Sequence, residues 1–258
     1  MPRYNLILAI LSLAILAAPR AHAEDSDAAR YQRCVLQVAQ NAQAALEAAR
    51  SWSREGGGAP ASHCEALAFL ALGHAADGAA ILQELAYGSA ELTDTLKADL
   101  FDEAGNAWLV AEEPARAVSA FSSAIDLASA GNLPASASAT YYSDRARALI
   151  LFGNRKAARG DLDRSIALAP SAAALTLRAR IKRETKDWAG AANDIARALA
   201  LDANFAEAFL ERGRLGVLQG NIKAARQDFL KAAMLQKDGP ITEEARREME
   251  AMDVKVTN

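Results

Sequence analysis

The sequence predicts an all-α protein, an array of stacked antiparallel helix pairs, on three observations. One pattern runs head to tail three times through residues 139–238. It reads Arg145-Ala146-Arg147 with Gly153, Ala158, Asp161-Leu162, Ile166 and Pro170; then Arg178-Ala179-Arg180 with Ala191, Asp194-Ile195, Leu199 and Ala203; then Arg212-Gly213-Arg214 with Gly220, Ala225, Asp228-Phe229 and Ala233. The leading arginines recur at a period of about 34 residues, which marks repeated helix pairs. The chain is also rich in alanine, with 6% aromatic residues and seven prolines. Finally, period-2 runs of Val, Ile and Thr are missing, so no sheet is expected.

Residues 1–23 read as an export signal. Arg3 supplies the positive start, Leu6–Ala18 is an apolar run broken only by Ser12, and Ala21-His22-Ala23 is a small-residue cleavage site. The run is short for a membrane span, and no cysteine follows it to take a lipid. The alternative is an uncleaved anchor. The expectation is an exported chain, periplasmic in a bacterial cell, without a stable membrane anchor after cleavage. The mature part, 24–258, is ample for an extended core. Loss of Arg3 and Arg20 moves the net charge from −3 to −5. A mildly acidic chain without a basic stripe argues against nucleic-acid binding.

Residues 24–97 read as degenerate helix pairs. Asp25 or Ser26 caps a first helix with Tyr31, Cys34, Val35 and Val38 on its apolar stripe; Asn41 marks a turn; a second helix carries Ala44, Leu46, Ala49 and Trp52. Gly56-Gly57-Gly58 and Pro60 then break the chain. This stretch reads as a flexible connector or as a loop that approaches another backbone closely. Residues 62–87 form a further pair around Gly73.

Cys34 and Cys64 are the only cysteines. An even count in an exported chain favours a disulfide, which by the chain-entropy argument stabilises by about 3–4 kcal/mol for a loop of about 30 residues. Free thiols, or a metal or redox site adding His63 (or His74), are the alternatives. Neighbouring side chains on a helix diverge by about 100°, so His63 and Cys64 make a poor chelate. No nucleophile motif, paired-acid constellation, phosphate loop or metal-ligand pattern is present, so neither an enzyme nor a cofactor is expected.

An earlier copy begins at Ala98, with Gly105, Trp108, Ala117, Phe121 and Ala124. Residues 128–138 read as an insertion, a longer loop between copies. The chain closes at 239–258 with a charged helix, capped at Thr242, that ends the stack.

With position 1 at Ala98, Ala139, Ala172 and Ala206, small residues fall at position 8 (Gly105, Ala146, Ala179, Gly213), alanine at 20 (Ala117, Ala158, Ala191, Ala225) and bulky residues at 24 (Phe121, Leu162, Ile195, Phe229). Over residues 98–238 this phasing resembles the tetratricopeptide repeat family. Two features depart from that pattern. Position 32 is proline only at Pro170, and position 11 of the third of these copies is the charged Lys182. The resemblance implies an α-solenoid whose first helices line a concave surface through positions 2, 5, 9, 12 and 13.

Arginine recurs at positions 7 and 9. Arg145, Arg178 and Arg212 each precede an aspartate (Asp161, Asp194, Asp228) by one constant interval, which predicts salt bridges pinning the two helices of each pair. By resemblance, Arg147, Arg180 and Arg214, with Arg183 at position 12 and Asn106 at position 9 of the preceding copy, form a ladder along the concave groove. The alternative is local neutralisation by Asp144, Glu184 and Glu211, each within helical pairing distance. The family's carboxylate clamp is not expected, because only Asn106 fits it and Asp144 has the wrong sign. The functional expectation is an exported scaffold or adaptor whose groove binds an unidentified protein or peptide, acidic by this reading, in cell-envelope assembly or secretion. The rivals are a redox or metal-dependent factor using Cys34, Cys64 and His63, and a self-associating structural repeat.

Overall fold

The computed structural model describes residues 26–256, and the predicted export signal lies outside the described residues. Among the described residues there are thirteen helices and no strand. They are α1 (Asp27–Gln40), α2 (Ala42–Arg54), α3 (Gly58–Ala71), α4 (Ala75–Gly88), α5 (Asp94–Val110), α6 (Pro114–Ala130), α7 (Ala135–Leu151), α8 (Arg155–Leu168), α9 (Ala172–Glu184), α10 (Trp188–Leu201), α11 (Ala206–Leu218), α12 (Ile222–Leu235) and α13 (Pro240–Val256). No described helix is long and apolar enough to cross a membrane.

One turn design repeats through the array. Gly73, Gly153 and Gly220 sit at positive φ after the first helix of their pairs, and Glu112 and Lys186 take the same conformation in the two copies without glycine. The next N–H bonds back to the carbonyl five residues earlier, as in His74 to Phe69, Glu113 to Trp108, Asn154 to Leu149, Asp187 to Lys182 and Asn221 to Gly216. This C-cap satisfies orphan carbonyls and reverses the chain.

The helices of a pair meet by a size match. Gly105 faces Phe121, and a Cβ there would lie 2.6 Å from the ring; Gly213 faces Phe229 in the same way. Where position 24 is the smaller Leu162 or Ile195, position 8 is Ala146 or Ala179, and all four are fully buried. Volume is thus conserved across the contact. First helices also pack in a row, with α5 on α7, α7 on α9, α9 on α11 and α11 on α13, while second helices pack mainly on the first helices that flank them. From α5 to α13 the first helices therefore form a continuous inner face. One apolar cluster spans Ala66 of α3 to Ala148 of α7, so the α3–α4 pair shares the core of the copy that follows, while α1 and α2 pack with α3 in a cluster of their own.

Three expectations are corrected. Residues 128–138 form no long loop, because α6 runs to Ala130 and α7 starts at Ala135, each 17 residues long. Alanine carries no side-chain entropy cost in a helix, and Ser129 bonds the Ile125 carbonyl, so the insertion lengthens two helices. Gly56-Gly57-Gly58 is a tight turn, with Gly56 and Gly58 at positive φ, the Gly57 N–H on the Trp52 carbonyl at 2.9 Å and Gly57 packed against the Trp52 ring. Thr242 does not cap α13, which begins at Pro240; its hydroxyl donates back to the Ala233 and Gln236 carbonyls. Proline is tolerated in a first turn because its missing N–H would be an orphan there.

Candidate interaction face

The arginines at positions 7 and 9 leave their helices on different sides. Arg145 grips Asp161 through Nε and Nη2 at 2.7 and 2.8 Å. Arg178 grips Asp194 at 2.8 and 2.7 Å, and Arg212 grips Asp228 at 2.9 and 2.6 Å. Each pair joins the first helix of a copy to the second. Two of these arginines also reach the preceding pair, Arg145 to Ser122 at 3.1 Å and Arg178 to Asp163 at 2.8 Å. The residue equivalent to Asp163 beside Arg212 is Ala196. The Arg212 side chain is 47% exposed where Arg178 is 12% exposed. Lys182, the departure at position 11, answers a local need, since its ammonium lies 2.8 Å from Asp194. Burial opposes the Asp194 charge, but the Arg178 and Lys182 bonds outweigh it and hold the carboxyl below its usual range.

The position-9 series lies along the inner face. Arg147 pairs with Asp144 at 3.1 Å and bonds the Asn106 amide oxygen of α5. Arg180 pairs with Glu184 at 3.2 Å, which also takes Arg155 at 2.7 Å. Arg183 crosses from α9 to Glu211 of α11 at 2.8 Å. Arg214 is held by Glu211 at 2.8 Å and by Glu244 and Glu248 of α13, both at 2.7 Å. Arg147 and Arg180 keep 44% and 43% of their side chains exposed, against 17% and 21% for Arg183 and Arg214. The predicted ladder thus divides into two accessible guanidinium groups and two locked into a knot around the buried Glu211. Burial works against the Arg214 charge, yet the Glu248, Glu211 and Glu244 contacts raise its pKa above the ordinary arginine value.

The N-terminal end of this face is acidic. Asp99, Asp102 and Glu103 stand on α5, and Asp144 faces them from α7. Burial, reinforced by Asp144 and Asp99 and opposed by Arg147, pushes the Asp102 carboxyl up to about 7. Asp144 is raised too, chiefly by burial. Tyr141 donates to Asp99 at 2.7 Å; burial and this bond push its phenol well above the usual range.

A second constellation bridges α1, α3 and α5. The Tyr31 hydroxyl lies 2.7 Å from His63 Nδ1, and His63 Nε2 lies 2.7 Å from Glu103. The Tyr31 and His63 rings stack with centroids 5.7 Å apart. Burial, then the Glu103 charge, raises the Tyr31 pKa. Beside this chain lies a cavity of about 520 Å³ between α3 and α5. Cys34 and Cys64 are joined in a disulfide, with Cα atoms 6.2 Å apart, that ties α1 to α3. Both thiols are consumed there, and His63 is turned toward Tyr31 and Glu103, so the Cys34, His63 and Cys64 ligand set is not assembled. Among the described residues no three metal-ligating side chains converge.

The spacing of Tyr31, His63 and Glu103 follows no repeat visible in the sequence. Asp99 to Tyr141 and Asp102 to Asp144 span equal intervals, nearly the same as the lengthened one between Ala98 and Ala139. That lengthened period was a usable signal for the acidic end. Pro240 follows Ala206 by one more repeat period, which places Glu248 at position 9 of a further first helix. Position 13 carries the exposed Val110, Leu151 and Leu218, a partly apolar margin beside the charged row.

No family model and no curated protein matches the sequence. Solved structures do match. PilF of Pseudomonas aeruginosa is similar at 12% identity over 89% of this chain and 97% of that one, with a TM-score of 0.66. A tetratricopeptide repeat protein of Parabacteroides merdae is similar at 17% identity over 89% and 87%, TM-score 0.63. BtubC of P. vanneervenii is similar at 14% over 85% and 92%, TM-score 0.60. The fold is therefore an all-α solenoid of the tetratricopeptide-repeat type.

Proposed function

We propose that the chain is an exported, non-enzymatic scaffold whose inner face, the row of first helices from α5 to α11, binds an extended segment of a partner protein in cell-envelope assembly or secretion. The observation that carries this reading is the division of the arginine row. Arg147 and Arg180 are half exposed and held mainly by acids on their own helices, an arrangement worth about 0.3–0.5 kcal/mol per pair. A carboxylate on a partner competes with so weak a pair. Arg183 and Arg214 are spoken for by Glu211 and α13 and act as structure. A pre-ordered array receives a segment without ordering itself, which lowers the cost of binding. The export signal and the disulfide support a compartment outside the cytoplasm.

The test is affinity capture by residues 24–258 from a cell-envelope extract, beside the Arg147→Glu/Arg180→Glu double variant. A protein retained by the first and lost by the correctly folded second is the expected outcome. Equal retention by both places the site elsewhere.

A further inference from the structure

The row of first helices is interrupted once. α1 packs on α3 and α5 packs on α7, but α3 and α5 stand apart, joined across the gap by the His63–Glu103 bond. The gap is the 520 Å³ cavity. Its wall is apolar, built from Ala59 and Pro60 at the start of α3, Leu85 at the end of α4, Leu92 in the connection that follows, and Leu96 and Leu100 on α5. Its remaining lining includes three carboxylates, Asp27, Asp99 and Glu103, and no lysine or arginine. Asp99 and Glu103 each spend one oxygen on a neighbour, Tyr141 and His63 respectively. The stacked Tyr31 and His63 rings brace the opening, and the Cys34–Cys64 disulfide fixes α1 against α3 behind it.

We infer that this gap is a socket for a large apolar side chain of a partner segment flanked by a lysine or arginine. An apolar chamber of this size excludes a purely polar segment, since a polar group buried in it without a hydrogen bond costs free energy. The carboxylate rim disfavours a flanking acid by like-charge repulsion and favours a flanking cation. The socket is continuous with the inner face through the Asp99–Tyr141 bond between α5 and α7. The inference rests on the reading of that face as the site of a protein segment. It adds polarity to it. The segment's basic, apolar part sits at α3–α5, and its acidic part lies over Arg147 and Arg180.

A displayed library of random dodecapeptides, selected on residues 24–258 with the disulfide intact, tests this. The account expects enrichment of Leu, Met or Phe next to Lys or Arg. The selected peptide should lose at least tenfold in affinity to the socket-filling Ala59→Phe variant and about threefold or more to Asp27→Asn/Glu103→Gln, which keeps the cavity and removes charge. Circular dichroism verifies that each variant folds. Enrichment of acidic sequences, no enrichment, or a selected peptide whose affinity is unchanged in the charge variant overturns the socket. The same peptide measured on Arg147→Glu/Arg180→Glu separates the two claims. A socket that fails while capture still depends on Arg147 and Arg180 removes this inference alone.

Discussion

Residues 27–130 and residues 135–256 share one helix-pair architecture but fix their helices by different physics. From α7 onward each pair is clamped by a bidentate arginine–aspartate bond. In the copy before it, the same two places hold Ala104 and Ala120, both buried. There the helices approach on alanine, with Phe101, Trp108 and Phe121 filling the space. Further upstream a disulfide, and arginines laid over Trp52 and Phe69, do the fixing. An ion pair sets an angle and costs desolvation; apolar contact stabilises without setting an angle so sharply. The clamped half repeats with a strict period, and the apolar half drifts from it.

Breaking the clamp gives the largest expected effect. Asp194→Ala leaves the mostly buried Lys182 without its carboxylate and Arg178 with Asp163 alone, and should cost about 3–5 kcal/mol in urea unfolding. Asp228→Ala should cost far less, about 1 kcal/mol, because the Arg212 side chain is open to water and is resolvated when its partner is lost. Equal losses would mean that burial does not set the strength of the clamp. In the other half, reduction of the Cys34–Cys64 bond should destabilise by about 2–4 kcal/mol. Neighbour-only contacts in such arrays predict that α1–α2 exchange amide hydrogens faster while α9–α12 keep their protection.

The boundary between the halves carries the expected pH dependence. The folded chain holds the Asp102 proton up to about pH 7, well above the ordinary carboxyl value of 3.8. The unfolded chain loses it near that ordinary value. Between the two the folded state binds more protons, so stability falls as pH rises through the window and levels off above it. Asp102→Asn should therefore match the native chain near pH 4 and exceed it by up to about 4 kcal/mol at pH 8. A variant less stable than the native chain at pH 8 would show that the carboxylate contributes favourably. A further effect concerns the size match that both halves share. Gly213→Ala should cost about 1–3 kcal/mol, since its Cβ meets Phe229 at 2.5 Å. Adding Phe229→Leu should recover part of that loss.

The clamped half was the legible one. Small and large positions and the Arg-to-Asp interval recur in phase, so the helix pairs and their partners follow from spacing. The insertion at 128–138 misled because a lengthened interval between copies reads as an inserted loop, whereas alanine and the back-bonding Ser129 continue two helices. The fates of Arg147 and Arg214 were not legible. Both occupy position 9, and only the packing of α13 distinguishes a half-exposed arginine from one locked by Glu244 and Glu248. The chain of Tyr31, His63 and Glu103 was hidden because it joins three helices whose intervals do not match the array's period.

The central claim is that two arginines two residues apart do separate work, one structural and one at the interface. The direct measurement pairs thermal unfolding with partner retention for Arg178→Ala and Arg180→Glu. The account predicts that Arg178→Ala lowers Tm by several degrees and retains the partner while folded, and that Arg180→Glu leaves Tm within about two degrees and weakens retention. A fall in Tm for Arg180→Glu as large as that for Arg178→Ala, or retention indifferent to Arg180→Glu, would contradict it.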